Sequence, residues 1–145
     1  MPVLGTDGVS YVDAEMGGSV GDINVGHNSW TNLDNNHYKW TVPSAGWYRL
    51  FLTVRTRVWG VTGFIRVRLV RNSDTNIPGT FTRMLFEQSS TTGGFNCQNT
   101  LYWVVDTPAA GDTWYPQFST NNNSSNTSIQ SDSNGYNSCH WERIG

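Results

Sequence analysis

The side chains that most often carry catalysis or bind metal are few and scattered in this sequence. The three histidines, His27, His37 and His140, are isolated, and none has the His-x-His or His-Glu-x-x-His spacing that brings two imidazoles to one zinc ion. Asp and Glu are few, eleven in all, which gives little support for the catalytic carboxylate pair that a glycosidase requires. A Gly-x-Ser-x-Gly elbow and a phosphate-binding glycine loop are also absent. The sequence therefore predicts a protein that is not an enzyme.

The segment SDSNG at residues 131–135 is the best approximation to a calcium loop. It supplies hard oxygen ligands, but it contains one carboxylate and lacks the twelve-residue spacing of a calcium-binding loop. A solvated turn stabilised by Asn and Asp side chains explains the same residues. We predict neither a bound metal nor a cofactor.

Aromatic side chains make up 13% of the chain and include seven Trp. Flat rings stack on sugar faces, so carbohydrate binding is one interpretation, although packing is the ordinary role of each Trp. The polar tract 119–138, predicted to be an exposed loop, is a further candidate recognition surface. The aromatics nearest to turns or strand ends are Trp30, Trp59, Trp114 and Tyr136. Those that alternate within predicted strands, as core or interface residues do, are Trp40, Trp47, Trp103 and Trp141.

Residues 40–58, WTVPSAGWYRLFLTVRTRV, contain a strand end, a turn and a long alternating strand. A period of two places alternate residues on opposite faces of a strand. One set is largely apolar and predicts a core-facing side: Tyr48, Leu50, Leu52, Val54, Thr56 and Val58. The other set combines an aromatic ring with three arginines and predicts a surface that meets another protein: Arg49, Phe51, Thr53, Arg55 and Arg57.

The predicted strand 63–71 alternates in the same way and directs Arg66, Arg68 and Arg71 outward. If this strand formed a hairpin with 47–58, arginines would face arginines, and directly opposed like charges destabilise a sheet. Either acidic partners cover these arginines, or the two strands belong to different sheets. Arginine suits contacts with an acidic protein surface because its guanidinium binds carboxylates in a bidentate manner. The candidate partner or ligand surface comprises Arg66, Arg68, Trp59 and Tyr136.

The 145 residues are sufficient for one domain with a hydrophobic core. Aromatic, β-branched and turn-forming residues outnumber helix formers, which predicts an all-β fold. The expected architecture is an antiparallel jelly-roll sandwich of about 8–10 strands. Residues 1–20 are predicted to be an N-terminal arm or first strand region, and residues 21–145 a single domain. The predicted strands lie near 9–16, 22–26, 37–42, 47–58, 63–71, 80–88, 99–106, 112–118 and 138–144.

Charged residues are only 14% of the chain, and the net charge is −2. The negative balance argues against binding to nucleic acid or to an acidic membrane, and no apolar run is long enough to insert into a bilayer. So few charges indicate that like subunits or a larger assembly cover part of the surface. The N-terminal sequence lacks the features of a signal peptide, so we expect synthesis in a cytosol with Cys97 and Cys139 reduced.

The run YKWTVPSAGWYRLFLTV resembles the signature of the tumour-necrosis-factor and complement globular-head superfamily. In that family a Val-Pro turn, a glycine and one or two aromatics precede a long alternating strand. The segments FIRVRLVRNSD, TLYWVVDTPAAGDTWYPQF and CHWERIG resemble the family's later strands in order. The variants VPSAGWYR and ERIG are most similar to bacteriophage virion proteins with this fold. The residues that match the signature are Val42, Pro43, Gly46, Trp47 and Tyr48.

The resemblance implies a jelly roll that forms a tight homotrimer, with the exposed face of the long strand at the threefold axis. It places Phe51 and Thr53 in the trimer contact, with the arginines of the same face beside them. In the family's strand order, Cys97 and Cys139 lie on strands separated by the long central one, which argues against a disulfide.

These observations predict a structural protein of a tailed-phage virion that decorates or cements the capsid shell. Its partners would be further copies of itself and the major capsid protein or other virion proteins, after synthesis in the host cytoplasm. The alternative is a receptor-binding tip of a tail or head fibre that recognises a host surface glycan. The absence of a shaft or coiled coil in the sequence favours the first hypothesis. A secreted signalling role is disfavoured because neither an export signal nor a collagen-like stalk is present.

Overall fold

A computed structural model of the chain describes residues 2–4, 10–15, 23–32, 39–59, 62–87, 94–121, 127–129 and 138–145. Within these ranges the chain forms β-strands and turns, and no helix long and apolar enough to cross a membrane occurs among them. The strands are β1 (Pro2–Leu4), β2 (Ser10–Glu15), β3 (Ile23–Asn24), β4 (Thr31–Asn32), β5 (Trp40–Thr41), β6 (Gly46–Trp59), β7 (Thr62–Arg71), β8 (Thr82–Glu87), β9 (Gly94–Thr107), β10 (Thr113–Thr120), β11 (Thr127–Ile129) and β12 (Ser138–Arg143).

The first sheet is organised around β6. One edge of β6 pairs along its whole length with β9, from Gly46 opposite Thr107 to Trp59 opposite Gly94. The other edge is shared by β12, which pairs with residues 48–53, and by β11, which pairs with residues 56–58. Strands β2 and β1 extend the sheet beyond β12, and β3 pairs with β11. All of these pairings are antiparallel.

The second sheet is centred on β7 and β10, which pair from Trp114 opposite Arg71 to Thr120 opposite Ile65. Strand β8 covers the other edge of β7, while β4 and β5 share the other edge of β10. The consecutive strands β6 and β7 therefore lie in different sheets. The sequence left open whether acidic partners cover the outward arginines or the two strands belong to different sheets. The second arrangement is the one observed, and it separates the outward arginines of β6 from those of β7.

The apolar faces of the two sheets contribute to one hydrophobic core, an arrangement consistent with a β-sandwich. The predicted core side of β6, from Tyr48 to Val58, is at most 1% exposed. Trp141 of the first sheet stacks on Trp40 with ring centroids 4.2 Å apart and meets Trp114 of the second sheet at 6.1 Å. Large rings contributed by both sheets bury much apolar surface, which is the main force that holds the two layers together.

The prediction of an all-β protein with antiparallel strands is confirmed, and each predicted strand segment overlaps an observed strand. Strand β9 begins at Gly94, earlier than predicted, because its polar first half pairs with β6. The strands that the sequence did not predict, β1, β4 and β11, have two or three residues each. Such short segments show no alternation that sequence analysis could detect.

The prediction that the tract 119–138 is an exposed loop is wrong for the part that the structure describes. Strand β10 continues to Thr120, and β11 occupies residues 127–129. The side chains of Ser119, Thr120, Thr127 and Ile129 are at most 1% exposed. The reason is tertiary: β11 pairs with the part of the β6 edge beyond β12, so a three-residue segment within a polar tract becomes an inner strand.

Contacts of the turn before β6 account for two residues of the family signature, Gly46 and Tyr48. The Tyr48 hydroxyl donates to the Ser44 carbonyl at 2.8 Å and so closes the turn across the start of β6. Gly46 has a φ of 150°, and a Cβ atom there would lie 2.3 Å from the Gly145 carbonyl oxygen. The C-terminal backbone also pairs with Trp47, whose N–H donates to that same carbonyl. A glycine is required here because the last residue of the chain occupies the space of its side chain.

We expect Tyr48→Phe to lower the free energy of unfolding by about 1 kcal/mol, because the Ser44 carbonyl loses its donor in a part-buried turn. The matched control is Tyr115→Phe: this ring is also buried, but its hydroxyl has no hydrogen bond among the described residues. Urea unfolding at one fixed protein concentration measures both variants. Equal destabilisation by the two substitutions would contradict the proposed closure of the turn.

Candidate functional site

The outer side of the first sheet carries an exposed apolar surface. Inward residues of β6 and β9 are buried, so the alternate residues of both strands project outward, where Phe51 lies opposite Tyr102. Ile144 continues this side at the C-terminus, where its N–H donates to the Trp47 carbonyl. We call this surface the Phe51 face. Its large apolar members, each between 36% and 54% exposed, are Trp47, Phe51, Tyr102, Val104 and Ile144.

Phe51 lies at the centre of a ring cluster on this face. Its ring centroid is 5.0 Å from that of Tyr102 on one side and 6.3 Å from that of His140 on the other. The three residues lie on adjacent strands at matching register. Sheet geometry therefore holds three aromatic rings in one row, with their outer surfaces open to solvent.

Polar residues border the ring cluster and are already engaged within the chain. Arg49 forms an ion pair with Glu142 of the neighbouring strand, and this hydrogen bond raises the pKa of the Arg49 guanidinium. The Thr53 and Thr100 hydroxyls lie 2.9 Å apart and share a hydrogen bond. Arg55 and Arg57 also interact with other residues of the chain. The structure thus brings all five predicted interface residues onto one face, as the alternation of the sequence required.

A cleft of about 320 Å³ lies at one end of the Phe51 face. Trp47, Val104 and Asp106 line it from the first sheet, Arg71 from the end of β7, and Asp74 from the turn that follows. Its volume is near the lower limit of small-molecule sites. The cleft continues the exposed face as a recess beside Trp47.

The outer side of the second sheet carries a different surface, which we call the arginine face. Arg66 lies opposite Arg83 of β8 and opposite Ser119 of β10, while Arg68 lies opposite Gln117. Arg66, Arg68 and Arg83 alternate with buried residues of their strands, whereas Gln117 and Ser119 are themselves buried. The arginine face comprises Arg66, Arg68 and Arg83 together with Trp30, Phe64, Phe81 and Leu85.

Aromatic rings hold the guanidinium groups of the arginine face. The Arg68 guanidinium carbon is 4.0 Å from the centroid of the Trp30 ring, and that of Arg83 is 4.3 Å from the centroid of the Phe64 ring. Arg66 lies between them, 5.5 Å from Trp30 and 5.6 Å from Phe64. These are the distances of favourable cation–π contacts. The positive charges are therefore concentrated and positioned by packing.

Hydrogen bonds to side chains of β10 also orient two of these arginines. Arg68 Nε donates to the side-chain Oε1 of Gln117 at 2.7 Å, and Arg66 Nη2 donates to Ser119 Oγ at 2.8 Å. Burial, and secondarily the charge of Arg66, lowers the pKa of the Arg68 guanidinium. Among the residues that the structure describes, no carboxylate forms an ion pair with these two arginines or with Arg83.

The predicted ligand surface is only partly described by the structure. Arg66 and Arg68 lie together on the arginine face, whereas Tyr136 and the side chain of Trp59 are outside the described residues, as is the SDSNG segment. The candidate sugar-stacking residue Trp114 is fully buried, so that interpretation is wrong: its ring packs between the two sheets, on Trp141. Trp30 is half-buried on the arginine face.

Several residues of the two faces were missed in the sequence. Arg83 and Leu85 flank the buried Met84, so the alternation of β8 was a signal that could have placed them outward. Tyr102 and Val104 alternate with Leu101, Trp103 and Val105 in the same manner. Trp30 carried no comparable signal, because it precedes a strand of only two residues.

The described residues contain no group of three or more His, Cys, Asp or Glu side chains that could hold a metal ion. In comparisons with known proteins, neither a family model nor a curated protein matches the chain. The resemblance to the tumour-necrosis-factor and complement-head superfamily therefore remains a prediction from the sequence.

Both cysteines are free thiols within the first sheet. Cys139 of β12 and Cys97 of β9 pair with opposite edges of β6, which separates them as expected. Burial raises the pKa of the Cys139 thiol to about 12 and also raises that of Cys97, which is less buried. A raised pKa lowers the fraction of reactive thiolate at a given pH.

We expect native Cys139 to react with iodoacetamide at pH 8 on the order of 1000-fold more slowly than a thiol of ordinary pKa, because so little of it is thiolate. Cys97 should be labelled first. Mass spectrometry of digested samples, taken over time and compared with a urea-unfolded control, measures both rates. Equal labelling rates of the two cysteines in the native protein would contradict this prediction. A protein mass lower by two hydrogens in the absence of reductant would also contradict it, because that mass indicates a disulfide.

Proposed function

We propose that the protein is a non-enzymatic structural component of a bacteriophage virion. In this proposal it adopts a jelly-roll topology, forms a homotrimer through the Phe51 face, and decorates or cements the capsid shell. The trimer and the virion assignment derive from the sequence resemblance. The exposed Phe51 face is the single observation that carries the proposal.

The Phe51 face has the composition of a protein interface. A monomeric soluble domain rarely leaves a large contiguous apolar patch in water, and such patches usually mark interaction sites. Here three aromatic residues, Trp47, Phe51 and Tyr102, are 51%, 36% and 54% exposed on one side of one sheet. Aromatic residues are also enriched at the buried centres of interfaces, with polar residues at their rims. Association of like subunits would remove these rings from water.

The polar residues around Phe51 fit a buried contact. Arg49 and Glu142 neutralise each other within one chain, and Thr53 and Thr100 satisfy each other. Burying such pairs costs less than burying an unpaired charge or hydroxyl. The low overall charge of the chain, 14%, is a second argument for a covered surface.

We expect Phe51→Asp to dissociate the trimer while the fold is retained, because the new carboxylate would enter an apolar contact without a partner. The penalty for an uncompensated buried charge is about 3–5 kcal/mol, which weakens association by more than 100-fold. The matched control is Phe81→Asp, an equally drastic change at a more exposed ring of the opposite sheet. Sedimentation velocity at micromolar concentration should give a monomer for the first variant and a trimer for the second.

Two results would overturn the trimer proposal. One is a wild-type protein that sediments as a monomer at micromolar concentration. The other is a Phe51→Asp variant that stays trimeric, which would locate the contact elsewhere. Far-UV circular dichroism of both variants separates dissociation from unfolding.

The virion role predicts that the protein is present in hundreds of copies on the shell of the particle that encodes it. Quantitative mass spectrometry of purified virions, with immunogold labelling for position, measures this. A few dozen copies or fewer at the tail, together with antibody that blocks adsorption, would support the alternative of a receptor-binding tip. Absence from purified particles would reject both virion hypotheses.

A further inference from the structure

We infer that the arginine face is a docking surface for a carboxylate-rich stretch of another protein that also carries apolar side chains. That the partner is a virion component rests on the proposed function. The chemistry of the partner is inferred from the structure alone. The face lies on the outer side of the second sheet, so a subunit that associates through the Phe51 face leaves it free.

The first step is the unbalanced charge. Arg66 and Arg83 occupy directly opposed positions of β7 and β8, and Arg68 lies two residues further along β7. Opposed like charges destabilise a sheet. No ion pair to these arginines occurs among the described residues, although the chain as a whole is negative. Carboxylates from outside the chain would remove this repulsion.

The second step is preorganisation. Gln117 accepts from Arg68 Nε and donates through its own amide to the Asn32 side-chain oxygen at 2.5 Å, so the residue that holds Arg68 is itself held. The terminal nitrogens of Arg68 have no hydrogen-bond partner within the described part of the chain. A guanidinium that is already oriented loses less conformational entropy when it binds a carboxylate. Arg68 is therefore oriented to bind a carboxylate through its two terminal nitrogens.

The third step identifies the class of partner. The guanidinium groups lie over the Trp30 and Phe64 rings, so the ring faces toward the arginines are already occupied and cannot stack on a sugar or a nucleobase. The exposed apolar residues are Phe81, 56% exposed, and Leu85, 77% exposed. Leu85 offers no stacking surface, and the Phe81 ring is already in a T-shaped contact with Trp30, with ring centroids 6.2 Å apart. Both are ordinary contacts in a protein interface. Arginine and aromatic residues together also characterise the energetically important centres of such interfaces.

The test uses a random twelve-residue peptide library, selected on the wild-type protein and counter-selected on a variant in which Arg66, Arg68 and Arg83 are all replaced by Gln. We expect the enriched peptides to combine at least two Asp or Glu with a Leu or aromatic residue. One such peptide, fluorescently labelled, then serves as the probe for dissociation constants by anisotropy. Oligogalacturonate and a heparin hexasaccharide are measured in parallel.

Single substitutions locate the site. Arg68→Gln and Arg83→Gln should each weaken peptide binding by about 10- to 100-fold, the loss expected for a charge-assisted hydrogen bond. Arg68→Lys, which keeps the charge but not the planar fork, should lie between Arg68→Gln and wild type. Leu85→Ser should weaken binding without a change in charge. The matched control is Arg71→Gln on the same strand, which should have no effect, because Arg71 lies in the cleft beside Asp74.

The outcomes separate this inference from the proposed trimer. Phe51→Asp should bind the same peptide with unchanged affinity whatever its oligomeric state, and the arginine variants should keep the oligomeric state of wild type. The inference is overturned if enriched peptides are not acidic, or if their binding ignores the arginine substitutions. It is also overturned if no peptide is enriched, or if the acidic oligosaccharides bind through these arginines and peptides do not. Circular dichroism of each variant confirms the fold, and the exposed position 83 provides a substitution that disturbs no hydrogen bond to another described residue.

Discussion

The rest of the structure depends on the pairing of β6 along both of its edges. Over its 14 residues one edge is bonded to β9, and the other is bonded first to β12 and then to β11. A strand held in this way cannot slip in register, and a slip of one residue would exchange its buried and exposed sides. The alternation of β6 therefore determines both the inner layer of the core and the position of Phe51 on the opposite surface.

The two outer faces combine charged and aromatic side chains in opposite ways. On the Phe51 face the charges are paired within the chain, Arg49 with Glu142, and the rings are left exposed. On the arginine face rings lie against charges, Arg68 over Trp30 and Arg83 over Phe64, and the charges have no described carboxylate partner. The first pattern suits association with an apolar surface, and the second suits an acidic one. A protein with two such faces can join like subunits on one side and a different partner on the other.

The side chains of both faces are held in place by contacts within the chain. On the arginine face the buried Gln117 and Ser119 hold the guanidinium groups, and Asn32 in turn holds Gln117. At the Phe51 face adjacent strands set the spacing of the rings. Association through rigid, preformed surfaces costs less entropy than association through flexible loops. This is the property expected of a protein whose role is to bury surface in an assembly.

The sequence by itself determined the all-β class, the location of most strands and the two sides of β6, because a period of two maps directly onto the faces of a strand. It also placed Phe51 with the outward arginines of β6, and Arg66 with Arg68 on the outer side of β7. Arg71, predicted to face outward with them, instead lines the cleft beside Trp47. Only the tertiary structure decided that β6 and β7 lie in different sheets, that Trp114 is buried, and that residues 127–129 form an inner strand. It alone brought Trp30 over Arg68 and Tyr102 beside Phe51. These contacts join residues that are distant in the chain. Which strands pair depends on the edges that other strands leave open, and a local sequence pattern carries no information about those edges.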